Sequence, residues 1–341
     1  MAKTFRLAVT QVTFGWSDKG HAANLYSEQF DPAELPAHIE ANTRRQLDLF
    51  EEAGKNGADI VVGAEDMQRL GHFGMFLDDT SHFHRLVETI PGPTSRRIGA
   101  VAKKYRMHVV ACYPEKSGSK CYNTGVLFGR NGRILGKYRK VQLPAGEDWV
   151  YASGKTFPVF RTDLGNVGIS ICYDMMFPEP TRCLALNGAD LIAHPTMGYG
   201  WTENIGEATI KSRAVDNGVT IIVSHGKRSQ VVNPWGEILC DAGRRHNVVV
   251  YADWDPRTRQ EQPPNHYATL QTGFADVRER WTRERCAACF KVIASANPPL
   301  LKRYSKQGLK KTAAERRAVF EKTAEEHRRV ARGLAPRLTW G

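Results

Sequence analysis

The chain contains no apolar run approaching the ~20 residues that a membrane-spanning helix requires. Its opening stretch, MAKTFRLAVTQV, alternates like a strand and lacks the apolar core and cleavage site of a secretory signal. A cytoplasmic location and no membrane partner are the expectation. Cysteine is too sparse and too odd in number for a disulfide framework: the seven (Cys112, Cys121, Cys172, Cys183, Cys240, Cys286, Cys289) are expected as reduced thiols. Cys286 and Cys289 form one CxxC pair, but no second CxxC and no nearby histidine pair completes a zinc site. No linker rich in Pro, Gly or Ser interrupts the chain before residue 255. The organisation expected is therefore one domain over 1–255, followed by an extension over 256–341.

At 341 residues the chain can bury a substantial core, and 41% apolar with 25% charged residues is a globular composition. The net charge of +12 is lopsided, because residues 301–341 hold twelve Lys/Arg and four Glu, or +8 of the total. Such a tail could touch nucleic acid, but an exposed helix face explains it as well and is preferred. Within it, 312–333 has helical composition, with opposite charges at pairing distances.

Periodicity gives an alternating order of elements. Strands are read at 5–12, 58–65 and 107–113, with helices at 36–53 and 94–105. The stretches 13–35 and 66–86 read as loops. A hairpin follows about Asn131-Gly132. Beyond residue 172 come a helix (178–187), a strand (190–194), a helix (203–216) and a strand (219–224). A second hairpin lies around 233–236, and a last strand at 247–254. From 256 to 308 the chain reads as polar and irregular. This alternation implies a mixed α/β architecture.

Four residues stand where chemistry is expected. The apolar run Val167–Ile171 leads directly into Cys172, and a thiol at a strand end has a rigid base and an open mouth. GADIVVGAE ends a buried strand in Glu65, GRILGKYRKVQLP ends a hairpin strand in Lys140, and Glu147 follows seven residues later. Taken singly, each has a bland reading: a buried thiol, a cap, a surface charge, a loop acid.

Together they resemble the nitrilase superfamily of carbon–nitrogen hydrolases, whose signature is a Glu, Lys, Cys triad with a second Glu after the Lys. FPEPTRCLALNGADLIAHP, IKSRAVDNGVTIIVSH and SQVVNPWGEIL extend the likeness over roughly residues 5–253. The resemblance implies a four-layer α-β-β-α sandwich with a C-terminal helical extension, no cofactor and no metal. It implies Glu65 as base and acid, Cys172 as nucleophile, Lys140 and the Tyr173 backbone N–H as oxyanion donors, and Glu147 as an orienting group. It also implies a homodimer or larger homo-oligomer.

Two departures set limits, the first on loop rigidity and the second on substrate. Ala64 stands where the family usually has Pro. Cys172-Tyr173-Asp174 resembles the amidase and carbamoyl-hydrolase branches, whereas nitrilases typically show Cys-Trp-Glu. His194 and His225 are pocket candidates that could instead be satisfied core histidines. The expected function is hydrolysis of a small amide or N-carbamoyl compound through a cysteine thioester. A nitrilase is the near rival, and an idle binding protein with a nucleic-acid-binding tail is the distant one. The substrate-determining loops are read as 13–35, 66–86 and 196–206.

Overall fold

The computed structural model describes residues 4–12, 33, 35–71, 81–144, 146–197, 203–257 and 276–303. The helix expected at 312–333, almost all of 13–35 and the middles of the other two loops lie outside the described residues.

Twelve strands are described, in two six-stranded sheets. The first sheet contains β1 (Phe5–Gln11), β2 (Ile60–Val62), β3 (His108–Ser117), β4 (Lys120–Phe128), β5 (Ile134–Arg139) and β12 (Val248–Trp254), in the order β12-β1-β2-β3-β4-β5. The second contains β6 (Val159–Thr162), β7 (Gly165–Ile169), β8 (Leu191–Pro195), β9 (Thr220–Ser224), β10 (Gln230–Val232) and β11 (Ile238–Asp241), in the order β11-β10-β9-β8-β7-β6. In each, a parallel trio (β1, β2, β3 or β7, β8, β9) is flanked by antiparallel strands.

Strand alternation decides which residues face which layer. Leu7, Val9, Val110 and Cys112 meet Val167, Ile169, Leu191 and Ile222 between the sheets. Their neighbours Ala8, Val109 and Ala111 face outward, against α1 (Leu35–Lys55) and α3 (Pro93–Tyr105), through Leu47, Phe50, Ile98 and Ala102. On the far side, Ile192, Ile221 and Val223 meet α4 (Pro178–Leu186) and α5 (Glu203–Asn217), through Leu184, Ile210 and Ala214. The result is the α-β-β-α sandwich that the resemblance implied.

The structure departs from the sequence reading at five elements. The strand expected over 58–65 keeps ladder geometry only at Ile60–Val62, because the chain turns away through Asp66, whose φ is +46°. β3 runs on to Ser117 because β4 pairs with it continuously, from Val109↔Phe128 to Ser117↔Lys120. The short β6 was not anticipated, nor was the short helix α2 (Ser81–Leu86), which buries Phe83. Within the stretch read as irregular lies α6 (Val277–Glu284). It lacks apolar periodicity and rests on polar terms instead. Asp276 caps it by accepting from the Glu279 N–H at 2.8 Å, and Arg280–Glu284 and Arg283–Glu279 pair at one-turn spacing. Arg278 ties it to the body by donating to the Ala185 carbonyl at 2.8 Å.

Candidate active site

Each of the four expected residues sits at the boundary of an element. Glu65 follows β2, after the Gly63 N–H has bonded the Val110 carbonyl at 2.8 Å and before the Met67 N–H bonds that of Cys112 at 2.9 Å. Lys140 directly follows β5; its N–H donates to the Asn123 carbonyl at 2.9 Å and its own carbonyl accepts from Gly154 at 2.7 Å. Glu147 opens a 3-10 turn (Glu147–Trp149) entered through Gly146, whose φ of +101° a side chain would resist.

Cys172 opens another 3-10 turn (Cys172–Met176) with φ at +44°, a conformation that costs energy outside glycine and is tolerated where surroundings impose it. Asp174 imposes it here. Its carboxylate accepts from the Ile171 N–H at 2.8 Å, the Gln142 N–H at 2.9 Å and the Tyr138 hydroxyl at 2.7 Å. One buried acid thus ties the nucleophile's turn to the strand and loop on either side of Lys140.

The four side chains converge. Lys140 Nζ donates to Glu65 Oε1 at 2.9 Å and to both Glu147 oxygens at 2.8 Å. Glu65 also accepts from Asn123 Nδ2 at 2.9 Å and from the Met197 N–H at 3.0 Å, and the Cys172 thiol lies beside it. The cluster is closed to bulk water: Lys140 is 1%, Glu65 4% and Cys172 8% exposed.

Two carboxylates sharing one ammonium in a dry site cannot ionise alike. Burial raises the Glu65 acid, but the Lys140 charge, hydrogen bonds from Lys140 and Asn123 and the neighbouring Cys172 thiol outweigh it, and its pKa falls below the usual carboxylate range. Glu147 goes the other way: burial, reinforced by the Glu65 charge and opposed by Lys140, lifts it to about 7. Lys140 is buried but held firmly protonated by Glu65, Cys172 and Glu147. The Cys172 thiol is pushed up to about 12 by burial and by the Glu65 charge, against the Lys140 ammonium. The Lys140 ammonium favours the thiolate, but burial and the two carboxylates outweigh it, so the resting state is a thiol.

The remaining candidates are placed as follows. Tyr173 is the second residue of the nucleophile's turn, its ring edge-on to Phe177 at 5.3 Å. His194 is buried, its Nδ1 paired with Ser170 Oγ at 2.9 Å, and desolvation lowers its pKa to about 4, so it is neutral. His225 is buried too, its Nδ1 accepting the Lys227 N–H at 2.9 Å. Cys286 and Cys289 lie exposed on the C-terminal extension, and all seven cysteines are free. Among the described residues, no group of three or more His, Cys, Asp or Glu is placed to hold a metal ion.

Three contacts to the cluster were not anticipated: Asn123 and the Met197 N–H on Glu65, and Thr196, whose side chain lies by Cys172 and favours its thiolate. Asn123 had a signal. Counting outward from the Asn131-Gly132 turn sets it opposite Lys140, one step beyond the Thr124↔Arg139 pair. Thr196 and Met197 come from the end of β8 in the other sheet, and nothing local to them announces the contact.

Comparison with known proteins matches residues 28–263 to the model of the carbon-nitrogen hydrolase family. The chain belongs to that family. It is 34% identical to omega-amidase NIT2 of Bos taurus over 241 residues, 63% of this chain and 83% of the relative. In structure it is similar to a carbon-nitrogen hydrolase from Helicobacter pylori G27, with a TM-score of 0.64 and 21% identity over 85% of this chain and 98% of the other. It is also similar to a mutant amidase from Nesterenkonia sp. AN1 showing covalent addition of the acetamide moiety of fluoroacetamide at the active site cysteine. There the TM-score is 0.59 and the identity 20%, over 74% of this chain and 90% of that one. At such identities these structures speak for the fold of this carbon–nitrogen hydrolase.

Proposed function

We propose that this chain hydrolyses the amide C–N bond of a small, non-peptide substrate through a thioester on Cys172, with Glu65, Lys140 and Glu147 completing the site and residues 1–255 forming the catalytic domain. The observation that carries this is the convergence of an ammonium, two carboxylates and a thiol from both sheets, with the nucleophile at a φ of +44°. Relatives named omega-amidase favour an amide over a nitrile.

The resting thiol requires that deprotonation accompany attack. As Cys172 Sγ bonds to the carbonyl carbon, its proton passes to Glu65 and the carbonyl electron pair moves onto oxygen. Lys140 Nζ and the Tyr173 N–H receive that oxyanion, each such donor being worth roughly 10²–10³-fold. When the C–N bond breaks, Glu65 returns the proton to the departing nitrogen, and ammonia or an amine leaves. Water then attacks the thioester, giving its proton to Glu65, which hands it back to sulfur as the acid departs. Glu147, bonded through both oxygens to Lys140, orients the ammonium. The buried His194 pairs with the Ser170 hydroxyl, and His225 holds the Lys227 N–H, so both are read as bracing groups beside the site.

Self-association belongs to this reading. Trp281, Phe290, Val292, Ile293, Leu300 and Leu301 are exposed on 276–303, an apolar surface suited to another subunit. A cytoplasmic setting is supported by seven free thiols, and no helix among the described residues is long and apolar enough to cross a membrane.

The test is Cys172→Ala together with mass spectrometry of the wild type on a slow amide. Ammonia release should vanish in the variant while the fold persists, and the adduct should map to the peptide holding Cys172. Undiminished turnover, or an adduct on Cys183, removes Cys172 from the mechanism. A panel of amides, ureido acids and nitriles assayed for ammonia ranks the substrate classes.

A further inference from the structure

The peptide that carries Glu65 into the site is held from an unexpected direction. Gln46, on α1 and fully buried, accepts the Ala64 N–H on its Oε1 at 3.2 Å. Its Nε2 donates to Thr10 Oγ1 on β1 at 3.1 Å. Thr10 in turn meets Ser224 at the end of β9: the Ser224 hydroxyl donates to the Thr10 carbonyl at 2.7 Å. Gln46 thus spans from the first helix, through the first sheet, to the second. Gly63 makes the approach possible, because a Cβ there would stand 2.7 Å from Phe50 Cζ and 3.3 Å from Gln46 Cδ.

The position of this contact gives it consequence. Between the end of β2 and Met67 the backbone is held by the N–H groups of Gly63, Ala64 and Met67; the first and last bond strand carbonyls, whereas Ala64 bonds a side chain. Glu65 lies immediately after that peptide and immediately before Asp66, whose left-handed φ of +46° turns the chain away. A carboxylate that must shuttle a proton between sulfur, nitrogen and water needs its Cα fixed. A proline at 64 would fix it by ring closure and have no N–H to satisfy. With alanine, an N–H is present in a wholly buried place, where leaving it unbonded is costly.

We infer that Gln46 is a positioning residue of this active site: by accepting the Ala64 N–H and anchoring to Thr10, it supplies the rigidity before Glu65 that the missing proline would have supplied. The inference rests on the proposed role of Glu65 as proton carrier. It makes Gln46 and Ala64 a matched pair, in which neither partner can be exchanged alone. In Ala64→Pro the ring Cδ would replace the amide hydrogen and drive into Gln46 Oε1. In Gln46→Leu the Ala64 N–H would lose its acceptor. In the double variant both defects disappear.

The experiment compares wild type, Gln46→Leu, Ala64→Pro and the double variant in two readouts: kcat and KM on the best amide, and the rate at which iodoacetamide alkylates Cys172. The second requires Glu65 to take the thiol proton but no identified substrate. Each single variant should lose roughly 10–100-fold in kcat, the scale of a small misplacement of a reacting group, with KM nearly unchanged and alkylation slowed in parallel. The double variant should recover most of both. Should Gln46→Leu fail to fold, Thr10→Val, which removes the hydroxyl that anchors Gln46 and meets Ser224 Oγ at 3.3 Å, should lower kcat less steeply without changing KM, and the double variant should fold. Wild-type rates in Gln46→Leu, unchanged kcat in Thr10→Val, or additive losses in the double variant would overturn the inference. If the wild type neither turns over amides nor alkylates at Cys172, the proposed function fails; if it does both and the variants match it, only the role of Gln46 fails.

Discussion

Glu65 and Glu147 are chemically the same acid, made different by their neighbours. Glu65 collects hydrogen bonds from Lys140, Asn123 and Met197 and stays ionised, while Glu147, largely desolvated with Lys140 as its ammonium partner, is lifted to about 7. That separation predicts a pH dependence with a definite sign. Above about pH 7 Glu147 is a carboxylate and both its oxygens hold the Lys140 ammonium; below it, protonation weakens that hold. In the wild type kcat/KM should therefore rise with pH through about 7. Glu147→Gln should be slower throughout and should lack that limb, as a pH–rate profile of both proteins would reveal. A limb that persists unchanged in the glutamine variant would assign it to another group.

At the scale of elements, the nucleophile's turn and the Lys140 strand move as one unit because Asp174 accepts from both. The Tyr138 hydroxyl reaches it from β5, the Gln142 N–H from the following loop and the Ile171 N–H from the end of the β7 run. Removing that acceptor leaves three buried donors unsatisfied, at about 1–3 kcal/mol each before relaxation. Asp174→Ala is thus expected to destabilise by several kcal/mol and to abolish turnover, since the φ of +44° at Cys172 has lost its restraint. Tyr138→Phe removes one donor and leaves the acceptor with two. Its cost should be about 1.5–3 kcal/mol, with partial activity. Urea unfolding alongside amide assays would check the ranking; equal effects from both variants would mean that Asp174 is not the hub.

For the whole molecule, the proposal that the C-terminal extension contacts another subunit can be tested directly. α6 is anchored by Arg278 to Ala185, yet the chain after it exposes Phe290, Val292, Ile293, Leu300 and Leu301. Truncation after Asp255 should lower the mass found by light scattering and reduce thermal stability, with Cys172 alkylation retained in whatever stays folded. If mass and stability are unchanged and only salt-dependent nucleic-acid binding is lost, the extension is a binding arm instead.

Much was legible along the chain because it is written locally. Alternation marked β1, short apolar runs marked β3, β8 and β9, and turn residues marked the hairpin at Asn131-Gly132. Glu65, Lys140 and Cys172 stood out because each closes a recognisable run, and Glu147 through its place after Lys140 in the family resemblance. What sequence alone left open depends on partners distant in the chain. α6 carries no apolar stripe, so only its caps and ion pairs betray it. Thr196 and Met197 join the cluster because β8 crosses β2, and Gln46 matters because α1 lies on Gly63. Above all, residue types identified an acid, a base and a thiol, but which glutamate stays ionised and whether the cysteine rests as thiol follow from desolvation and from the sharing of one ammonium. Those are properties of distance and burial, and only the folded chain has them.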